Sequence, residues 1–325
     1  MLLHILFVII GSALIIAGAN FLTDGASALA TRFKISQIVI GLTVVAFGTS
    51  APELTVSVLS GLSGNGGMAV GNVIGSNIFN ILAILGLTAL IAPLPIGKSS
   101  RNIEIPMAIL TALVLLFVIG DIFIDGKDVA ELTRSEGATL LTFGLLFLLY
   151  TIYMGTKGKN DAKEEQQPAK LMKVWLSIIY IVGGLAGLVF GGRLFVDSAS
   201  EIARTLGVSE TLIGLTLVSW GTSMPELATS IVAAFKKNAD IAIGNVVGSN
   251  IFNIFLVLGC TGLVHNQTGL AFTFVDLFAQ LLAPVLLFVF ARFLSIGTLS
   301  RSEGAVLFAV FVAYNWYIIS SAIGA

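Results

Sequence analysis

Two glutamates stand within long apolar runs. Glu53 ends the string Gly-Leu-Thr-Val-Val-Ala-Phe-Gly-Thr-Ser-Ala-Pro-Glu at 41–53, and Glu226 ends Gly-Leu-Thr-Leu-Val-Ser-Trp-Gly-Thr-Ser-Met-Pro-Glu at 214–226. A carboxylate at bilayer depth costs at least ~2.5 kcal/mol on insertion scales, so each needs a compensating partner. Neither run holds a Lys or Arg at that depth, and Arg193 and Arg292 fall at the ends of their apolar segments. The partner is therefore expected to be a bound cation, a proton, or both in turn. The neighbours suit a hard cation. Thr49 and Ser50 precede Glu53 by four and three residues, the spacing of a shared helix face, and Thr222 and Ser223 repeat this before Glu226. Pro52 has no N–H and its ring crowds the carbonyl of Gly48; Pro225 does the same at Gly221. Each helix should break just before its Glu and release backbone carbonyls, which a membrane tolerates only around a cavity. Carboxylate, carbonyl and hydroxyl oxygens are the ligands of Ca²⁺, which takes roughly six to eight of them. The bland alternative is a protonated Glu bonded to a neighbouring helix beside an ordinary proline kink. Two equivalent copies weigh against it.

A second string carries more oxygen. Residues 71–81 read Gly-Asn-Val-Ile-Gly-Ser-Asn-Ile-Phe-Asn-Ile, and 244–254 differ at one position only. Ser76 and Asn80 are four apart, as are Ser249 and Asn253, so each pair can line one helix face. Asn72, Asn77, Asn245 and Asn250 read more simply as interhelical hydrogen-bond partners beside the glycines at 71, 75, 244 and 248.

The elements that must position these residues are membrane helices. Of 325 residues, 56% are apolar and 11% charged, and the mean hydropathy is +1.00. A soluble domain carries about 25% charged residues. That composition excludes a soluble enzyme and a disordered chain, and a net charge of −1 gives no footprint for nucleic acid. One cysteine, Cys260, and two histidines exclude a disulfide framework, a thiolate cluster and a histidine metal site. The apolar runs predict an all-α polytopic membrane protein of ten spans, near 2–23, 37–62, 67–92, 104–122, 135–155, 173–196, 210–235, 240–264, 271–291 and 302–322. No Lys or Arg precedes the first run, so it is expected to be a retained helix and not a signal peptide. The two motif strings recur at an offset of 173, as do Asp24 and Asp197; Arg-Ser-Glu-Gly at 134 and 301 recurs at 167. Five spans are thus duplicated. Five is odd, so the copies enter from opposite sides, as two inverted five-helix repeats with a site between them. The expected division is 1–156, a polar linker at 157–172, and 173–325. Four basic residues fall on one side and thirteen on the other, which places the basic side in the cytoplasm and both termini outside.

The paired strings resemble the two alpha-repeats of the calcium/cation antiporter superfamily, in its prokaryotic sodium/calcium exchanger branch. The resemblance covers the whole chain. It implies Na⁺/Ca²⁺ exchange across a prokaryotic inner membrane by alternating access, with the long, glycine-rich first and sixth spans sliding past the core. Ca²⁺ and Na⁺ are the substrates, with no cofactor, no enzymatic activity and no obligatory protein partner beyond the lipid. Carried over by position, Glu53, Glu226 and the carbonyls of Thr49 and Thr222 match Ca²⁺ ligands. Ser50, Ser223, Ser76, Ser249 and the carbonyls of Ala46 and Ser219 match Na⁺-site residues, and Asn80 and Asn253 the central polar pair. Many such exchangers carry Asp at the position of Asn253, so proton- or K⁺-coupled exchange is the nearest rival, ahead of a cation channel and an intramembrane enzyme. The remaining signals are bland. Asp24 and Asp197 read as helix caps, and Asp276 lies in the ninth run without an assigned partner. Arg-Ser-Glu-Gly reads as a helix start, Cys260 as packing, and Trp175, Trp316 and Tyr317 as interfacial anchors.

Overall fold

The computed structural model describes residues 1–157, 172–207, 219–270 and 272–324. Its longer helices are α1 (Leu2–Phe33), α2 (Gln37–Thr49), α3 (Ala51–Leu62), α4 (Gly66–Ile91), α5 (Ser100–Ile119), α6 (Arg134–Lys157), α7 (Val174–Thr205), α8 (Met224–Phe235), α9 (Ala239–Val264), α10 (Phe274–Leu294) and α11 (Arg301–Gly324). Among the described residues, eight helices are long and apolar enough to cross a membrane, and α2 with α3 makes one more, bent by 45°. The seventh expected span, 210–235, is described only from Ser219, as a single helical turn at Ser219–Gly221 followed by α8. Residues 158–171 of the linker and residues 208–218 lie outside the described residues.

Burial ranks the helices. In α9, 94% of the most apolar stretch is buried within the protein, and in α4 78%; α1, α6, α7 and α11 reach only 17–28%. These two central helices carry the glycine-asparagine strings, whose small residues let backbones approach. A Cβ on Gly244 would lie 2.8 Å from the carbonyl of Ile38, and one on Gly248 2.9 Å from that of Leu42. α9 therefore lies directly on α2. The outer helices turn large apolar side chains outward, Trp316, Phe117 and Trp175 among them, as lipid-facing surfaces require.

The halves tie each other's ends. β1 (Leu94–Pro95) pairs with β4 (Thr298–Leu299), and β2 (Glu131–Leu132) with β3 (Gln267–Thr268), both antiparallel. The Arg-Ser-Glu-Gly segments are the expected helix starts. Thr133 and Glu136 cap α6 reciprocally, as Ser300 and Glu303 cap α11. Each arginine also reaches across to the end of the opposite central helix. Arg134 donates to the Val264 carbonyl at 3.3 Å, and Arg301 to that of Ile91 at 3.4 Å.

The long helices α1 and α7 form an antiparallel pair. Gly11 packs on Gly191, Gly18 on Gly184 and Gly25 on Ser177, a contact every seven residues; a Cβ at any of the three α1 glycines would come within 2.8 Å of an α7 backbone oxygen. α1 runs ten residues past its expected end, which corrects the reading of Asp24. That residue is in mid-helix and caps nothing: it accepts from Lys236 Nζ at 2.7 Å, while Lys236 also donates to the Asn20 carbonyl at 3.1 Å. Asn238 adds a bond to Ser27 at 2.9 Å. Asp197 likewise lies inside α7 and is no cap. Asp276 does have partners. α10 begins at Phe274, so Asp276 sits in its first turn, completes a capping box with Thr273 and accepts from the Tyr314 hydroxyl at 2.7 Å.

The glycine contacts give a direct test. Gly18→Val and Gly184→Val should each lower stability by about 1–3 kcal/mol through overpacking, seen as a lower melting temperature in detergent. Gly183→Val, which meets nothing within 4 Å, should not.

Candidate cation site

The two prolines do break their helices, and they do so by starting new ones. Pro52 lies at the start of α3 behind Ser50, and Pro225 at the start of α8 behind Ser223. A helix tolerates proline in its first turn, where the missing N–H would have no partner anyway. Ser50 N–H still reaches the Ala46 carbonyl at 3.0 Å, and the ladder resumes with Leu54 N–H on Ser50 at 3.0 Å. Ser223 N–H reaches Trp220, and Leu227 N–H returns to Ser223, both at 3.1 Å. Pro52 and Pro225 have no N–H to give the carbonyls of Gly48 and Gly221 four residues back. Glu53 and Glu226 fall in the first turns of α3 and α8, where the positive end of the helix dipole favours a carboxylate.

Both glutamates are wholly buried. Each takes hydroxyl donors on one oxygen only. Glu53 Oε1 accepts from Ser223 at 3.0 Å and Ser76 at 3.5 Å; Glu226 Oε1 accepts from Ser50 at 3.3 Å and Ser249 at 3.4 Å. The Oε2 atoms are buried without a hydrogen-bond partner, and so are the Oδ1 atoms of Asn80 and Asn253. Among the described residues the ion pairs are Lys127–Asp121, Arg204–Glu201 and Lys236–Asp24, and none involves these glutamates. Four acceptor oxygens, two from each half, are thus taken from water and given no donor. Orphan acceptors of this kind are what a bound cation satisfies.

A second tier of asparagines holds the first in place. Asn72 donates to Ser57 Oγ at 3.0 Å and the Glu53 carbonyl at 3.5 Å; Asn245 donates to Ser230 Oγ at 3.2 Å and the Glu226 carbonyl at 3.3 Å. Their amide oxygens accept from the threonine of the other half, Thr49 on Asn245 at 3.0 Å and Thr222 on Asn72 at 3.5 Å.

The family model described as sodium/calcium exchanger protein matches residues 3–155 and 176–320. The chain belongs to the sodium/calcium exchanger family. This exchanger is 38% identical over 275 residues to inner membrane protein YrbG of Escherichia coli, covering 81% of each chain. It is 31% identical over 350 residues to sodium/calcium exchanger MaX1 of Methanosarcina acetivorans, covering 96% and 97%. Its fold matches the solved structure of the sodium-calcium exchanger NCX_Mj at a TM-score of 0.81 and 30% identity, over 99% of both chains. Membership makes it an integral membrane cation antiporter.

The exchanger brings Glu53, Glu226, Ser50, Ser223, Ser76 and Ser249 together, with one difference from the expected faces. Ser50 and Ser223 serve the glutamate of the opposite half, because the helix breaks at each serine and the face it would share with its own Glu is lost. The hydroxyls of Thr49 and Thr222 turn to asparagines. The Ala46 carbonyl accepts from Ser50 N–H and lies 3.3 Å from Thr49 Oγ1. Ser219 opens the turn before Trp220, next to residues outside the described ones. Asn72, Asn77, Asn245 and Asn250 are the interhelical hydrogen-bond partners expected, but spacing did not give their partners in the other half. The available signal was their type: a buried amide in an apolar helix has to be bonded to something. Asn80 and Asn253 also stand at widened π turns, Phe79–Leu85 and Asn253–Leu258, a local geometry common at functional sites.

With only a bulky organic cation in solution, Glu53→Gln and Glu226→Gln should each raise the melting temperature over the parent more at pH 9 than at pH 6, since the buried charge that deprotonation leaves uncompensated is removed. Melting curves of the purified variants against the parent read this directly.

Proposed function

We propose that the protein exchanges Na⁺ for Ca²⁺ across the membrane by alternating access, the ions competing for a site built on Glu53 and Glu226. The observation that carries this reading is the set of four partnerless oxygens, Glu53 Oε2, Glu226 Oε2, Asn80 Oδ1 and Asn253 Oδ1. The chain then forms ten membrane helices in two inverted halves, 1–156 and 173–325, joined by 157–172. It lies in a prokaryotic inner membrane with the basic side in the cytoplasm and both termini outside. Ca²⁺ is held by both carboxylates and the carbonyls of Thr49 and Thr222. Na⁺ is held by Ser50, Ser223, Ser76, Ser249 and the carbonyls of Ala46 and Ser219, with Asn80 and Asn253 at the centre.

Charge explains the coupling. With both glutamates ionised the site carries −2, which one Ca²⁺ or two Na⁺ neutralises. The neutral states can cross, while the empty site is too costly to expose to a dry midplane. The α1–α7 pair is the moving element, and the tie of Lys236 to Asp24 and Asn20 closes one end of the path.

The test is Ca²⁺ uptake into proteoliposomes loaded with Na⁺, beside K⁺-loaded and pH-gradient controls, with Glu53→Gln as the blank. Uptake that needs the outward Na⁺ gradient and vanishes in the variant is expected. Uptake driven by the pH gradient without Na⁺ would replace Na⁺ by H⁺ as the counter-ion, and no Ca²⁺ flux at all would overturn the Ca²⁺ assignment. Lys236→Met breaks the tie without touching an ion ligand. It should change the maximal rate while moving half-saturation by less than about two-fold, as initial rates at varied Ca²⁺ will show.

A further inference from the structure

Asn77 and Asn250 are buried side by side between the central helices, and neither is an ion ligand in the reading above. Asn77 Nδ2 donates to the backbone carbonyl of Asn250, and Asn250 Nδ2 to that of Asn77, both at 3.1 Å. Their side-chain oxygens are also engaged. Asn77 Oδ1 accepts from Asn253 Nδ2 at 2.9 Å, and Asn250 Oδ1 accepts from Asn80 Nδ2 at 3.0 Å.

These four bonds permit one arrangement of the amides. A backbone carbonyl can only accept, so Asn77 must turn its NH₂ toward Asn250. Its oxygen then faces Asn253, which must answer with its own NH₂. Asn253 Oδ1 is thereby forced to the other side, where it is buried without a partner. The same logic runs from the Asn77 carbonyl through Asn250 to Asn80. Flipping any one amide sets donor against donor or acceptor against acceptor. Asn80 stands one turn beyond Ser76, whose hydroxyl is on Glu53, and Asn253 one turn beyond Ser249, whose hydroxyl is on Glu226.

We propose that Asn77 and Asn250 are positioning residues, each anchored on the other half's backbone, that lock the amides of Asn253 and Asn80 with their oxygens toward the cations. This rests on the cation-site reading of Asn80 and Asn253. It has a corollary. Asn77 offers an acceptor to position 253, so that position must carry a donor, and an ionised carboxylate there is disfavoured while Asn77 is present.

A double-variant cycle tests it. Asn77→Ala frees the Asn253 amide to rotate, and should raise the Ca²⁺ concentration for half-maximal uptake roughly ten-fold with little change in maximal rate. Asn253→Asp alone gains nothing, because a carboxylate oxygen faces Asn77 Oδ1. The pair Asn77→Ala with Asn253→Asp should recover half-saturation to near the parent, since a carboxylate presents oxygen whichever way it turns. Independent effects that multiply, or an Asn77→Ala protein with parental half-saturation, would overturn the proposal. The Asn250→Ala and Asn80→Asp cycle repeats the test on the other half should the first pair fail to fold. Ca²⁺-induced shifts in melting temperature are read in parallel and do not depend on which counter-ion drives transport. A parent that shows neither uptake nor a shift defeats the cation-site reading itself; a parent that shows them, with no rescue in the cycle, defeats only the positioning role.

Discussion

Two carboxylates held out of water, each with hydroxyl donors on one oxygen and nothing on the other, set the terms for everything around them. Burying a charge without a partner is among the costliest things a fold can do, and a bilayer offers no water to relieve it. The chain responds by concentrating its polar side chains there. Serines from both halves bond the Oε1 atoms, asparagines bond the glutamate carbonyls, and the breaks at Ser50 and Ser223 place each carboxylate at the positive end of a helix. The outer helices, by contrast, spend their length on lipid-facing side chains.

Neither half could build this centre alone. Ser223 serves Glu53 and Ser50 serves Glu226; Thr49 bonds Asn245 and Thr222 bonds Asn72; Asn77 and Asn250 bond each other's backbone. The same exchange recurs at the periphery, where Arg134 and Arg301 reach the ends of the opposite central helices. A duplicated sequence thus gives an interface whose polar groups are satisfied only when both copies are present. That supplies a physical reason for the two strings to stay alike.

Much of this was legible in the residues. The paired glutamates, the proline breaks, the oxygen-rich strings and the helix starts at 134 and 301 are local signals, and each was found where spacing put it. What spacing could not give was partnership across the chain. The face shared by Ser50 and Glu53 follows from an unbroken helix, yet Pro52 breaks that helix between them, so the two local rules compete and the break wins. Asp24 was misread because nothing in composition marks where α1 ends. α1 continues through Gly25, which packs on Ser177. Asp276 lies in its expected helix, but its partners, Thr273 in the capping box and Tyr314 in α11, were not visible from spacing. The roles of Asn77 and Asn250 depend on contacts between residues 173 apart, which periodicity does not reach.

The glycine contacts between α1 and α7 have a consequence for tightness. Glycine meets small residue every seven positions, so the next equivalent register is about 10.5 Å away, and any smaller slip drives side chains into backbone. In the proposed exchange cycle the two helices therefore tilt or glide together, as one plate with a helix of each half in it. In that cycle, uncovering the path at one end draws the same plate across the other. A pore continuous through the membrane would need the two helices to separate, and the close backbone seam opposes that separation. An exchanger working this way is kept from leaking by residues that have no side chain at all.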